Sequence, residues 1–336
     1  VGEFMKGVKG DKKKLKQVVD AQKINNKALI KDPQQVARAL TEKVIFGDHS
    51  QQLRQLSIAE MKKLKSDTLL EEFRRLTSVA CDIHYCGNLD NNKVVEIVKS
   101  NFNLNGVNIA SNAPYYRPNQ AVEKNAVYFI NEPNASQSVV VAYIPGEINS
   151  DDKSRNTSAL FNNYFGSGMS SILFQEIREF RSLAYGVSGN YKLSPNKNRD
   201  KQGLLYIALS TQEDKTTDAI KLVDSLLHDM PLRPDKIKVC RQDLINSANN
   251  DFPSFREISP KIAELKQKGE MVDPNIQLIK ALPDINMEDI KSFYEKNIQN
   301  KPIAYIVVGN SKKIDIEKLK QFGEFKPMKI KDIIHK

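Results

Sequence analysis

Among the residues able to do polar chemistry, Arg178 and Tyr185 stand in the most informative setting. They fall within Asn163 to Tyr191, NYFGSGMSSILFQEIREFRSLAYGVSGNY. This stretch joins a glycine turn at Gly166-Ser167-Gly168 to an amphipathic segment and then to a small-residue strand. Met169, Ile172, Leu173, Ile177 and Phe180 recur at the 3.6-residue period and predict a helix over about 169–183 with one buried stripe. Arg178 lies off that stripe. From Ala184 the period becomes two, which places Tyr185, Val187 and Tyr191 on one strand face and Ser188 and Asn190 on the other. A tight connection therefore brings a guanidinium and a phenol hydroxyl close together, two donors that act without titrating. The same residues also admit a structural reading, in which Arg178 pairs with Glu179 or another acid and Tyr185 is a half-buried strand residue.

Other chemistries find less support. Gly166-Ser167-Gly168 before a helix resembles a phosphate cradle, but it lacks the Lys-Ser/Thr of a P-loop and follows a helix rather than a strand. A hinge, or a loop lining a substrate chamber beside Asn162, Asn163 and Phe165, is the better expectation. Cys81-x-x-His84-x-Cys86 has a metal-like look. Read as a buried strand, however, Ser78 to Cys86 would point Cys81 and Cys86 to opposite faces, so core cysteines are expected. There is no G-x-S-x-G elbow and no cysteine at a helix start that would depress its pKa. The four histidines, His49, His84, His228 and His335, are scattered along the chain.

The elements that must position these groups read as α+β. The chain has 336 residues, 40% apolar and 27% charged, ample for two ordinary domains. No apolar run approaches the roughly 20 residues of a membrane span, and no signal peptide is recognisable. Val-Gly-Glu-Phe at positions 1–4, before Met5, reads as a tag scar. The net charge of +10 comes from lysines interspersed with acids and without interleaved aromatics, which argues against nucleic acid, although an acidic peptide would be drawn by the field. Helices are expected from Lys12 to Lys43 with a break at Pro33, after a capping box at Ser57 to Glu60, and over 68–76 and 91–102. Residues 103–125, rich in Asn, Pro and Gly, read as a linker. Strands follow at 126–130, 138–144, 204–210 and 303–308, with helices at 151–164, 215–228, 234–249, 286–297 and 314–322 and a less regular helical stretch over 251–268.

The segments IHYCGNLDNNKVVEIVKSNF and YIVVGNSKKIDIEKLKQF share a strand, a Gly-Asn turn and a closing helix. Their glycines, Gly87 and Gly309, lie 222 positions apart, which points to a domain-sized repeat. On that reading residues 5–105 are the second half of a penultimate repeat domain, 106–125 the linker and 126–336 a complete C-terminal domain. A half domain leaves an apolar sheet face uncovered, which predicts a homo-oligomer or dependence on a partner.

The Asn163–Tyr191 stretch resembles the C-terminal halves of insulinase/pitrilysin-type zinc peptidases, the inverzincin group, in which a glycine loop precedes E-I/L-R-E-x-R/K-x-L-A/G-Y. The matching residues are Glu176-Ile177-Arg178-Glu179 and Ser182-Leu183-Ala184-Tyr185. The resemblance implies tandem homologous α/β-sandwich domains, with helices packed on one face of antiparallel or mixed sheets as in processing peptidases. It also implies that Arg178 and Tyr185 reach the peptide bound at a zinc site in the other half, with Gly166, Ser167 and Gly168 as further substrate contacts. The family's H-x-x-E-H motif is missing from this sequence. Zinc is therefore expected in the full-length protein but not in this chain, which is expected to have no catalytic residue and to be inactive alone. Two roles follow: the substrate-enclosing half of a zinc endopeptidase, paired with an N-terminal catalytic half, or a non-catalytic peptide-binding or scaffold subunit paired with a separate active chain. A periplasmic or envelope location rests on the resemblance alone.

Overall fold

Leu205, Ile207 and Leu209 alternate with Tyr206, Ala208 and Ser210, so a strand built from them has two unlike faces. In the computed structural model of the protein, which describes residues 7–76, 79, 81–101 and 117–335, this strand belongs to one six-stranded mixed sheet. The strands are β1 (Ala126–Asn131), β2 (Ser138–Ile148), β3 (Ala184–Lys192), β4 (Gln202–Thr211), β5 (Ala304–Gly309) and β6 (Glu324–Pro327). Their spatial order is β3-β4-β2-β5-β1-β6. The neighbours from β3 to β5 are antiparallel, whereas β5-β1 and β1-β6 are parallel. β5 is buried along its whole length, as a strand covered on both faces must be.

The longer helices are α1 (Lys12–Leu29), α2 (Pro33–Phe46), α3 (Ser66–Leu76), α4 (Asn91–Asn101), α5 (Asp152–Phe165), α6 (Thr216–His228), α7 (Ile237–Asn250), α8 (Ile258–Gln267), α9 (Pro274–Ala281) and α10 (Met287–Asn297). Asp32 caps α2 by accepting from the Gln34 amide, and Pro33 at its first position loses no helical bond. Ser57 and Glu60 form the reciprocal capping box read from the sequence.

Phe161 and Phe165 of α5, Ile220 and Val223 of α6 and Phe293 of α10 pack with Ile144, Leu205, Ile207, Leu209 and Tyr305 to make the larger core on one face of the sheet. The opposite face carries a smaller core, in which Val36, Leu40 and Ile45 of α2 and Ile333 cover Val139, Val141, Ile306 and Val308. Val36 and Leu40 are fully buried, worth about 1.5–3 kcal/mol each. The α+β class with helices gathered mainly on one face of a mixed sheet is as expected. The covering of the other face by α2 was not anticipated, and it ties residues 33–46 to the packing of residues 126–335.

Two local expectations fail. Residues 81–86 form no strand, and Cys81 and Cys86 are exposed, leaving Cys240 as the buried cysteine. A β-prone sequence becomes a strand only beside another strand. Here the segment instead rests on residues 255–259, with His84 Nδ1 2.8 Å from Ser259 Oγ. Strand β2 also runs on through Pro145 and Gly146 to Ile148, past its expected end at residue 144, with an irregularity before Ile148. Most of the proposed linker, residues 102–116, and residues 1–6 lie outside the described residues.

Candidate functional site

The segment after α5 is held by backbone contacts before any functional group is placed. Gly166 packs directly on the edge strand: its carbonyl accepts from the Gly189 amide at 2.9 Å, and a Cβ there would sit 2.1 Å from the Gly189 oxygen. Gly168 has a positive φ of 87° facing open space, so this position needs glycine for its conformation rather than for room. The helix that follows spans residues 172–179, and from Phe174 to Glu179 it is a π-helix, with the Phe180 amide bonded to the Gln175 carbonyl at 2.9 Å. Ile172, Leu173 and Ile177 are buried as the sequence predicts. Met169 lies in the turn before the helix and Phe180 just beyond its end, and both are exposed.

Widening the turn also brings Glu176 inward, a placement the helical period did not suggest. Its carboxylate takes the Arg181 guanidinium at 2.5 Å and that of Arg233 on the other oxygen. Burial alone would raise this carboxyl, but the hydrogen bonds from Arg181 and Arg233 outweigh it and hold Glu176 below its ordinary range. Gln175 accepts from Lys236 as well, and Tyr164 ties the same corner by accepting from the Arg233 amide at 2.8 Å and donating to the Pro231 carbonyl at 2.5 Å. The helix bearing Arg178 is thus bolted to the segment before α7. No spacing in the sequence signals contacts this remote.

Arg178 and Tyr185 do come together. The Arg178 guanidinium carbon lies 4.7 Å from the ring centroid of Tyr185 and 4.7 Å from that of Phe174, so two aromatic rings fix the cation's position. Glu179 stands 3.5 Å from Arg178 Nε, the surface pairing that the structural reading foresaw. Tyr185 is not half-buried, however. It is 83% exposed, while Tyr191 on the same strand is 2% exposed. The cause is a β-bulge. Ala184 pairs with Thr211 but Val187 with Leu209, so an extra residue lies between them and Tyr185 falls out of phase with the core-facing set, the buried Ala184, Gly189 and Tyr191 and the half-buried Val187.

Two of the residues beside the turn, Asn162 and Phe165, hold the fold together. The Asn162 side chain accepts from the Tyr191 amide at 2.7 Å and donates to the Tyr191 carbonyl at 3.0 Å, capping the free edge of β3, and Phe165 is fully buried. Ser167 is half-buried on the turn between Gly166 and Gly168, beside the start of the π-helix.

Among the described residues no group of three or more His, Cys, Asp or Glu side chains is placed to hold a metal ion. His84, His228 and His335 each engage a different oxygen, on Ser259, Asp224 and Leu53 respectively. Nor is any helix among these residues long and apolar enough to cross a membrane.

Comparison with known proteins places this mixed sheet and its helical layer beside peptidase domains. Residues 73–230 match the family described as the peptidase M16 inactive domain. Over 160 residues the chain is 27% identical to an uncharacterised zinc protease of Mycobacterium leprae, which takes in 46% of this chain and 35% of that relative. The chain thus spans about a third of the relative's length. Among solved structures, a peptidase M16 inactive domain from Pseudomonas fluorescens is similar with a TM-score of 0.65 at 15% identity, covering 95% of this chain and 73% of that one. A chain of Complex III2 from Candida albicans gives 0.62 at 14% identity, covering 97% and 77%. Over residues 73–230 the chain is therefore similar to the inactive C-terminal domain of insulinase/pitrilysin-type zinc peptidases, and it shares the fold of the solved peptidase M16 inactive domain.

Proposed function

We propose that this chain is the substrate-enclosing half of an insulinase/pitrilysin-type endopeptidase, holding a peptide while the catalytic half hydrolyses it at its zinc site. Arg178 and Tyr185 then act as positioning and charge-stabilising donors toward the peptide carbonyl, and Gly166, Ser167 and Gly168 form the turn that lines the chamber beside them. The observation carrying this reading is the placement of Tyr185. It is exposed on a bulge of a strand anchored in the core, with its ring stacked against a guanidinium that Phe174 also holds. Rigid donors aimed outward are what stabilisation of a developing oxyanion needs, since they cost no reorganisation during reaction.

The test mixes this chain with the catalytic half, zinc and a quenched fluorescent peptide, and compares wild type with Arg178→Ala and Tyr185→Phe. Activity is expected only in the mixture. Each substitution is expected to lower kcat by at least about tenfold, within the 10²–10³ that loss of one such donor commonly costs. Equal activity in both variants would make the pair structural. A second reading, a scaffold subunit pairing with a separate active chain, draws support from the likeness to a chain of Complex III2. It predicts a stable complex in which this chain adds nothing to peptide turnover.

A further inference from the structure

On the face of β3 and β4 away from the larger core, beside α2, lies an open groove of about 530 Å³. Its polar lining comes from Gln34, Gln35 and Arg38 of α2, Ser188 of β3, and Tyr206 and Ser210 of β4, and it contains no carboxylate among the described residues. The acids of α2 are engaged elsewhere: Asp32 accepts from the Gln34 amide at 2.9 Å, and Glu42 pairs with Arg117 at 2.8 Å. Gln34 donates to Ser210 Oγ at 2.8 Å, which fixes the rim. Lys192 lies with its ammonium 5.5 Å from the Tyr206 ring centroid and adds a second positive charge to this end of the sheet. Arg38 has no ion-pair partner among the described residues. It is an exposed cation beside a concave surface that offers donors and no competing anion.

The groove is continuous with the candidate site. β3 runs from Tyr185 on the bulge directly into Gly186 and Ser188, which form the groove wall. A peptide contacting Tyr185 and continuing along β3 would place a neighbouring side chain over Arg38. We propose that this groove is a specificity subsite for an acidic residue, Asp or Glu, of the bound peptide, and that Arg38 selects it. The inference rests on the reading that Arg178 and Tyr185 face the peptide. The chemistry is one guanidinium receiving a carboxylate in two parallel hydrogen bonds, with the Gln34, Ser188 and Tyr206 groups as further donors at the rim.

The experiment measures binding of the intact chain by fluorescence anisotropy to two labelled unstructured peptides, identical except for Glu-Glu or Gln-Gln at the centre. The Glu peptide is expected to bind roughly three- to fivefold more tightly, the scale of a partly exposed charge pair. That ratio is expected to fall to about one in Arg38→Gln and to invert in Arg38→Glu. It is expected to survive in Lys221→Glu, which removes the same net charge from a remote surface. Arg178→Ala is expected to weaken both peptides alike and leave the ratio unchanged. If wild type binds both peptides equally while Arg178→Ala weakens them, the peptide site stands and the acidic subsite is overturned. A ratio lost equally in Lys221→Glu would assign the preference to overall charge and also overturn it. If neither peptide binds, the peptide site itself fails and the subsite falls with it.

Discussion

Tyr185 and Tyr191 occupy opposite ends of one nine-residue strand, yet they live in different physical worlds. Tyr191 is sealed in the larger core with its ring edge-on to Phe293 at 5.0 Å between centroids. Its hydroxyl donates to Asn297 Oδ1 at 2.7 Å and accepts from Asn149 Nδ2 at 3.2 Å, and burial pushes the phenol well above its ordinary range. Gly146 makes the room, since a Cβ there would fall 2.0 Å from that hydroxyl. Tyr185 has no hydrogen-bond partner among the described residues and offers its hydroxyl to solvent, with Arg178 stacked on its ring. One extra residue in the strand separates the two roles. The bulge frees a side chain from the sheet's alternation without loosening the strand, because Asn162 and Gly166 still hold the far end at Tyr191 and Gly189.

The largest effect should come from the buried end. Tyr191→Ala removes a fully packed ring and leaves Asn149 and Asn297 facing a cavity, so a loss of about 3–5 kcal/mol is expected, read as a drop in the denaturant midpoint. Tyr191→Phe keeps the ring and removes only the hydroxyl, while Asn149 Nδ2 still donates to Asn297 Oδ1 at 2.9 Å and Asn297 Nδ2 to the Phe293 carbonyl at 2.8 Å, so a loss of about 0.5–1.5 kcal/mol is expected. If Tyr191→Ala proved no more destabilising than Tyr185→Ala, the contrast between the two ends would collapse.

The support beneath Arg178 gives a smaller and pH-dependent effect. Glu176→Gln keeps the shape of the side chain but removes the charge held by Arg181 and Arg233, and about 2 kcal/mol is expected at neutral pH, discounted because Arg181 is partly exposed. The Glu176 carboxyl is depressed in the folded state from an ordinary value of 4.5. Its contribution is therefore fully present above pH 4.5 and is lost as pH falls through the lower folded value. Chemical denaturation of wild type and Glu176→Gln from pH 7 to pH 3 should show a constant gap that closes in the acid range. A gap that widened with acid would reverse the sign and mean the pair does not stabilise the folded carboxylate.

Much of this was legible in the sequence because the deciding signals are local. The run Glu176-Ile177-Arg178-Glu179 followed by Leu183-Ala184-Tyr185 places Arg178 and Tyr185 together through a short connection, and the alternation in β4 and the apolar run of β5 give the sheet. What escaped was set by distant partners or by single-residue insertions. Glu176 meets Arg233 57 positions away, and Asn162 caps a strand nearly thirty residues later. The bulge between Ala184 and Val187 resets a count of two that looked unbroken, and the π-turn does the same to a count of 3.6. Residues 81–86 fail for the converse reason. Their strand-like pattern is sound, but no neighbouring strand is present among the described residues to satisfy it.

The smallest effect is the most discriminating. Tyr185→Phe keeps the ring that stacks on Arg178 and removes only a hydroxyl that no described residue engages, so the cation–π contact survives and the change in stability is expected to stay within about 0.5 kcal/mol. The matching thermal shift should be no more than a few degrees. If the proposed role is right, this same substitution lowers peptide turnover in the reconstituted pair while leaving the unfolding curve of the chain where it was. That combination separates a hydroxyl working on a substrate from one working on the fold, because a structural hydroxyl cannot be lost without a stability change and a substrate-facing one can. A stability loss above about 1 kcal/mol would show that Tyr185 has a partner within the protein, and would make the bulge a packing device rather than a means of presenting a donor.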